Sequence, residues 1–151
     1  MKRLTTFLIA VLFCICAQAK LVPSNLFSDG MVLQQNTEAK IWGWATPGSQ
    51  ITVSTSWNGR SYRAKTDNSG YWAVYTATPS ASYTPYSMTI KGDGETIRIN
   101  DVLIGEVWFA SGQSNMEMPM RGFYNCPVEN ALEYISAPAA TEKIRMFTVP
   151  V

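Results

Sequence analysis

Ile51-Thr52-Val53-Ser54-Thr55-Ser56-Trp57 is the stretch on which the fold turns. Ile51, Val53 and Trp57 fall on one parity and Thr52, Ser54 and Ser56 on the other, the period of a strand with one buried face. Asn58-Gly59 follows, a pair suited to the positive φ angles of a type I′ turn, so residues 51–57 and 60–66 are expected to form a hairpin. Downstream, Asp67-Asn68-Ser69-Gly70 reads as a turn, Trp72, Val74 and Thr76 alternate again, and residues 79–85 read as a loop between prolines. Tyr86, Met88 and Ile90 then face Ile97 and Ile99 across Gly92-Asp93-Gly94, and residues 40–45 supply a strand upstream of Pro47-Gly48. About six or seven short strands with turns at this spacing predict an antiparallel β-sandwich.

The pattern changes at Val102-Leu103-Ile104-Gly105-Glu106-Val107-Trp108-Phe109-Ala110, a nearly unbroken apolar run that predicts a strand buried on both faces. Residues 111–126 read as a loop. Residues 127–137 read as a helix with Pro127 at its first position, a stripe of Val128, Ala131, Leu132 and Ile135, and Pro138 as its stop. Residues 144–149 read as a second strand, which makes the whole a βαβ unit. Two strands and one helix cannot cover both faces of a parallel sheet, so residues 102–151 are expected to be the start of a larger α/β domain, apparently truncated.

Twelve basic against 11 acidic side chains give a net charge of +1, with no basic cluster to neutralise a row of phosphates, so nucleic acid is not an expected partner. Histidine is absent, which excludes a complete Ser-His-Asp triad and a histidine-ligated metal within these residues. No metal and no cofactor are expected. Residues 1–19 carry the parts of an export signal: Lys2-Arg3, an apolar run from Phe7 to Ala17, and Ala17-Gln18-Ala19 before Lys20. The run is too short for the ~20 residues that span a bilayer, so a periplasmic or extracellular protein, free of the membrane after cleavage, is expected. Cleavage leaves ten basic and eleven acidic residues, and Cys126 as the single cysteine, read as an ordinary part-buried thiol.

Gly112-Gln113-Ser114-Asn115 directly follows the apolar run, placing Ser114 at the carboxyl end of a strand, where open α/β sheets bind ligands. Two roles fit Ser114: nucleophile, or the cap of a Ser-x-x-Glu capping box closed by Glu117. Pro119 limits a helix from Ser114 to about one turn.

Three separated stretches carry a family resemblance: Leu26-Phe27-Ser28-Asp29-Gly30-Met31-Val32-Leu33-Gln34-Gln35; Ile41-Trp42-Gly43-Trp44-Ala45; and Gly105-Glu106-Val107-Trp108 leading into Ser111-Gly112-Gln113-Ser114-Asn115-Met116-Glu117-Met118-Pro119-Met120. In this order they closely resemble the N-terminal portion of bacterial sialate O-acetylesterase-like proteins of the SGNH hydrolase superfamily. Behind the export signal at 1–19, the resemblance implies a β-sandwich accessory domain at 20–101 and the start of an SGNH-type α/β hydrolase domain at 102–151. It implies Ser114 as nucleophile, with its backbone N–H in the oxyanion hole, and an acetylated carbohydrate as substrate. Gln113, Asn115, Met116 and Glu117 are weaker candidates for the substrate pocket. In the family the histidine, its aspartate and the other oxyanion donors stand in later blocks, so residues 1–151 alone are expected to be inactive.

Other residues have two readings each. Glu106 interrupts an apolar run and is read either as a carboxyl with a raised pKa or as a carboxylate hydrogen-bonded to neighbouring backbone. Met116, Met118 and Met120, with Arg121, Phe123 and Tyr124, shape a pocket mouth or pack between domains. Trp42, Trp44, Trp57, Tyr62 and Trp72 either fill the core or offer flat faces to sugar rings. The last possibility supports a function of another class, a non-catalytic carbohydrate-binding or scaffolding β-sandwich module.

Overall fold

The computed structural model describes residues 20–137 and 144–149. The expected export signal lies outside the described residues. The chain is mostly strand: β1 (Val22–Pro23), β2 (Val32–Gln34), β3 (Glu38–Trp44), β4 (Gln50–Thr55), β5 (Ser61–Lys65), β6 (Tyr71–Ala77), β7 (Ser82–Gly92) and β8 (Glu95–Gly105) precede a short helix α1 (Ser114–Glu117), a minimal hairpin of β9 (Gly122–Phe123) and β10 (Cys126–Pro127), and α2 (Ala131–Ser136). They form a three-stranded sheet of order β1-β3-β6, a five-stranded sheet of order β2-β8-β7-β4-β5, and the β9–β10 pair.

Alternation explains the packing. On β4, Ile51, Val53 and Thr55 are buried, and on β6, Trp72, Val74 and Thr76. Ile41, Trp72 and Val74 from the first sheet join Ile51, Val53, Met88, Ile90, Ile99, Val102 and Ile104 from the second in one apolar cluster. The buried hydroxyls are satisfied: Thr55 Oγ1 donates to Asn58 Oδ1 at 2.6 Å and Thr76 Oγ1 to Ala39 O at 3.3 Å.

Glycine decides one close approach. At Gly43 an added Cβ would run into the backbone of Val22 and Pro23 and touch the Trp72 ring, so only glycine lets β1 lie against β3 there. Trp42 and Trp44 on either side point outward, while Ile41 and Ala45 enter the core.

Five expectations need correction. The loop expected over 79–85 is shorter, because β7 already begins at Ser82. The 51–57 strand ends at Thr55. Of the Asn58-Gly59 pair only Gly59 has positive φ, so the turn is not type I′; Trp57 leaves the ladder, yet stays buried and donates its Nε1–H to Ala77 O at 2.9 Å. The left-handed pair sits instead at Asp93-Gly94, with φ of 51° and 74°, closing β7 onto β8.

The 102–110 run is not a separate strand, and the burial on both faces expected of it holds only for Val102, Leu103 and Ile104. Its first residues finish β8, paired antiparallel to β7 and parallel to β2, and beyond Gly105 the chain is irregular and exposed. The reason is a bulge. One extra residue of β8 lies between the Met88↔Ile99 and Tyr86↔Val102 pairs, and Asp101 takes φ of 54°. The bulge returns Val102 and Ile104 to the core face on which Ile99 lies, while Leu103, outside that core cluster, is buried on the opposite face. The expected change of domain at 101–102 therefore falls inside one continuous strand.

The helix expected over 127–137 is confined to Ala131–Ser136. Pro127 lies in β10, and Asn130, whose φ of 56° is left-handed, precedes the first turn. Residues 144–149 form no strand, so no βαβ unit is completed among the described residues. The stripe of Val128, Leu132 and Ile135 is exposed. Unpaired apolar residues of this kind have no core to hold them in a helix or sheet.

Candidate active site

The Leu26-to-Gln35 and Gly105-to-Trp108 stretches, far apart in sequence, lie against each other. Asp29 Oδ1 accepts from Asn100 N at 2.6 Å, Gly30 N donates to Asn100 O at 3.1 Å, and Leu103 N donates to Met31 O at 3.0 Å. Val32↔Leu103, Leu33↔Ile104 and Gln34↔Gly105 then pair in parallel, and Gln35 N donates to Gly105 O at 2.9 Å. The first stretch is a rail along which β8 runs toward the candidate site.

At the end of the rail stands Glu106. Its carboxylate accepts from Gln34 Nε2 at 3.0 Å and from Gln35 Nε2 at 2.5 Å. These amide donors, Gln34 first, hold its carboxyl below the ordinary glutamate value, the opposite of the raised pKa that a catalytic reading of Glu106 requires. Glu106 is thus a held carboxylate, as expected in kind, but its partners are two side chains and not neighbouring backbone. Sequence reasoning missed the role of Gln34 and Gln35; the available signal was two adjacent amides and an acid interrupting an apolar run. The other end of the β2–β8 pair is also pinned. The Arg145 guanidinium bridges both Asp101 carboxylate oxygens at 3.0 Å, and it also donates to Asp101 O and to Met31 O.

Seven residues on from Val107, Ser114 is the first residue of α1. Gln113 occupies the capping position and makes no side-chain cap bond, so the Ser114–Glu117 capping box does not form. Its geometry fails because Ser114 already lies inside the helix. The helix stops after Glu117, where Met118 is extended ahead of Pro119. Gln113, Ser114, Asn115, Met116 and Glu117 are all exposed, and the Ser114 hydroxyl has no hydrogen-bond partner among the described residues. The space a side chain at position 112 would need is occupied by Met116 Cγ, so glycine there lets the loop fold tightly over the helix.

Met120, Phe123 and Tyr124 are exposed beside this segment, and Cys126, expected to be part-buried, is an exposed free thiol. Gly122, with φ of 79° and backbone atoms of Cys126, Pro127 and Val128 crowding its missing Cβ, closes the β9–β10 hairpin. No group of three His, Cys, Asp or Glu residues that could hold a metal lies among the described residues. The segment can present a serine hydroxyl; it does not bring a general base to it.

The aromatics divide. Trp57 and Trp72 belong to the core, and Tyr62 packs against it. Trp42 and Trp44 face outward, with Phe27 edge-on to Trp42 at 4.8 Å and Tyr71 edge-on to Trp44 at 6.2 Å. Lys40 lies 5.9 Å from the Trp42 ring centre and 5.6 Å from that of Tyr71.

No family model matches the chain. Similar proteins of known activity do exist. The chain is 34% identical over 135 residues to the sialate O-acetylesterase of Mus musculus, and 31% identical to that of Homo sapiens, in each case over 83% of this chain. It covers 24% and 25% of those proteins. Among solved structures, a carbohydrate acetylesterase from Xanthomonas citri superposes with a TM-score of 0.61 at 38% identity, over 67% of this chain and 23% of that one. Both comparisons point the same way: the chain is similar to sialate O-acetylesterases and to a carbohydrate acetylesterase, and it spans about a quarter of the length of the relatives that it matches.

Proposed function

We propose that the chain is part of an exported carbohydrate esterase that removes O-acetyl groups from sugars through a serine acyl-enzyme, with Ser114 as the nucleophile. The two sheets, which run through Gly105, act as a β-sandwich accessory domain, and the residues that follow contribute the nucleophile-bearing start of an SGNH-type α/β domain. The observation that carries the reading is the identity of 31–34% to sialate O-acetylesterases. The Ser114 hydroxyl at the head of α1 is exposed and has no hydrogen-bond partner among the described residues, which leaves it open to a substrate, while the base that would activate it has to come from elsewhere.

Acyl transfer would run in two halves. Ser114 Oγ attacks the acetyl carbonyl while a general base takes its proton; the tetrahedral oxyanion is held by N–H donors, Ser114's own among them; the sugar hydroxyl leaves with the proton returned by the base. Water then attacks the acetyl-serine by the same route and releases acetate. Residues 1–151 hold no histidine to be that base. On their own they should release no acetate at enzyme rates, since losing one triad member costs about 10⁴ to 10⁶ in rate.

The test is the protein recovered from its native host. Its intact mass shows what accompanies residues 20–151, and a fluorophosphonate should label it at Ser114 and fail on Ser114→Ala. Labelling elsewhere, with acetate release unchanged in the variant, removes Ser114 from the mechanism. A non-catalytic sugar-binding module is the weaker reading, because the outward rings stand edge-on and Lys40 lies over two of them.

A further inference from the structure

An exposed glutamate has no need of a partner, because water solvates it well. Glu106 is exposed and nevertheless holds two, which invites the question of what the arrangement fixes. The answer lies at the far ends of the two amides. Gln34 Oε1 accepts the Val107 backbone N–H at 2.8 Å, and Gln35 Oε1 accepts the Ala81 backbone N–H at 2.8 Å. A carboxylate can only accept, so it turns both NH₂ groups toward itself and thereby aims both carbonyl oxygens at backbone donors. Glutamine is needed at both places because it offers donor and acceptor in one side chain; lysine lacks the acceptor and glutamate the donor.

We propose that Gln34, Gln35 and Glu106 form a positioning clamp, which fixes the direction in which the chain leaves β8 and hence where the Gly112-to-Asn115 block stands relative to the two sheets. The inference rests on the reading of Ser114 as nucleophile only for its functional meaning. Beyond Gly105 the chain has no regular structure until Ser114, so rotation at 106 and 107 would swing the whole block. The clamp grips those two residues, the carboxylate of one and the N–H of the next. Gln35 Oε1 also accepts from Asn36 Nδ2 at 3.3 Å, tying the clamp to the loop that follows β2.

Amide ¹⁵N relaxation and chemical shifts of the full chain test this directly, with Ile97 and Ile99 of β8 as internal markers of folding. In the unsubstituted chain the Val107 N–H should have an order parameter near that of rigid backbone, ~0.85, and in Glu106→Ala it should drop below ~0.6. The amide shifts of Gly112, Gln113, Ser114 and Asn115 should move at the same time. Gln34→Glu alone, which sets two carboxylates together, should do the same. Combining Gln34→Glu with Glu106→Gln should restore both signals. In that double variant the carboxylate at position 34 can accept from the amide at position 106 and from the Val107 N–H, while Gln35 donates to the carbonyl oxygen of the new amide. A Val107 amide that stays rigid in Glu106→Ala, unmoved resonances at 112–115, or a swap that fails to restore them would each overturn the clamp. Labelling at Ser114 is a separate outcome: a chain in which the clamp moves the block but no fluorophosphonate attaches refutes the nucleophile and keeps the clamp.

Discussion

Residues 106–149 are richer in apolar side chains than residues 20–105, yet the two regions are opposite in what becomes of them. Every buried apolar side chain among the described residues lies between Leu21 and Ile104. After Gly105 only Gly122 is buried among the described residues, while Trp108 is 87% exposed, Phe109 88% and Leu132 81%. Apolar content alone does not make a core; a second apolar surface must face it, and in the first region two sheets provide that for each other. The second region has its hairpin and its two short helices held by local hydrogen bonds, with no buried apolar side chain among its described residues.

The sharpest way to break this comparison is to remove one large ring from each region. Trp72, 1% exposed, contacts the core where Gly43 lets β1 and β3 close up, so Trp72→Ala should cost about 3–5 kcal/mol. Denaturant unfolding would show it as a lower midpoint. Phe109→Ala should leave that midpoint within about 0.5 kcal/mol of the parent. Equal losses would mean that the second region is packed in solution. Gly43→Ala comes next: its Cβ meets backbone of β1, which cannot swing aside as a side chain can, so a loss of about 1–3 kcal/mol is expected on the same assay. A neutral result would show that β1 is not seated against β3.

The division follows how much of each region was legible in the sequence. Alternation in β4, β6 and β7 is a local signal, and it reads correctly because each strand has one face on the core. Short β1 and β2 leave no such signal: two or three residues carry no period, and their places are set by Gly43 and by the rail beside β8. The parity of Trp57 fits a buried strand position, and burial it has, by a turn rather than a ladder. The run at 102–110 misleads for the same reason in reverse. An apolar sequence records what a segment can bury, not what is there to bury it, and the Asp101 bulge and the Gln34–Gln35 clamp are tertiary facts with no periodic trace. At the candidate site the sequence locates Ser114 and its tight loop, while the failed capping box depends on a one-residue difference in where α1 begins.

The smallest expected effect concerns a carboxylate in the packed region. Asp93, at the left-handed turn between β7 and β8, accepts hydrogen bonds from the Ser49 hydroxyl and from Thr46 N at 2.7 Å, binding this turn to the loop between β3 and β4. Those donors, Ser49 first, hold its carboxyl below the ordinary aspartate value of 3.8. A depressed folded pKa means that the unfolded chain takes up a proton first as the solution is acidified. The stabilisation from Asp93 is therefore complete above the ordinary aspartate range and is lost as pH falls through the lower folded value. Asparagine accepts the left-handed backbone as readily as aspartate, so Asp93→Asn removes the charge without straining the turn. Urea midpoints measured from pH 7 down to about pH 3 should fall less steeply for Asp93→Asn than for the parent, with the curves converging at the acid end. Parallel curves would mean that the turn and the loop between β3 and β4 are not joined through this carboxylate, and that the packed region closes at this corner by apolar contact alone.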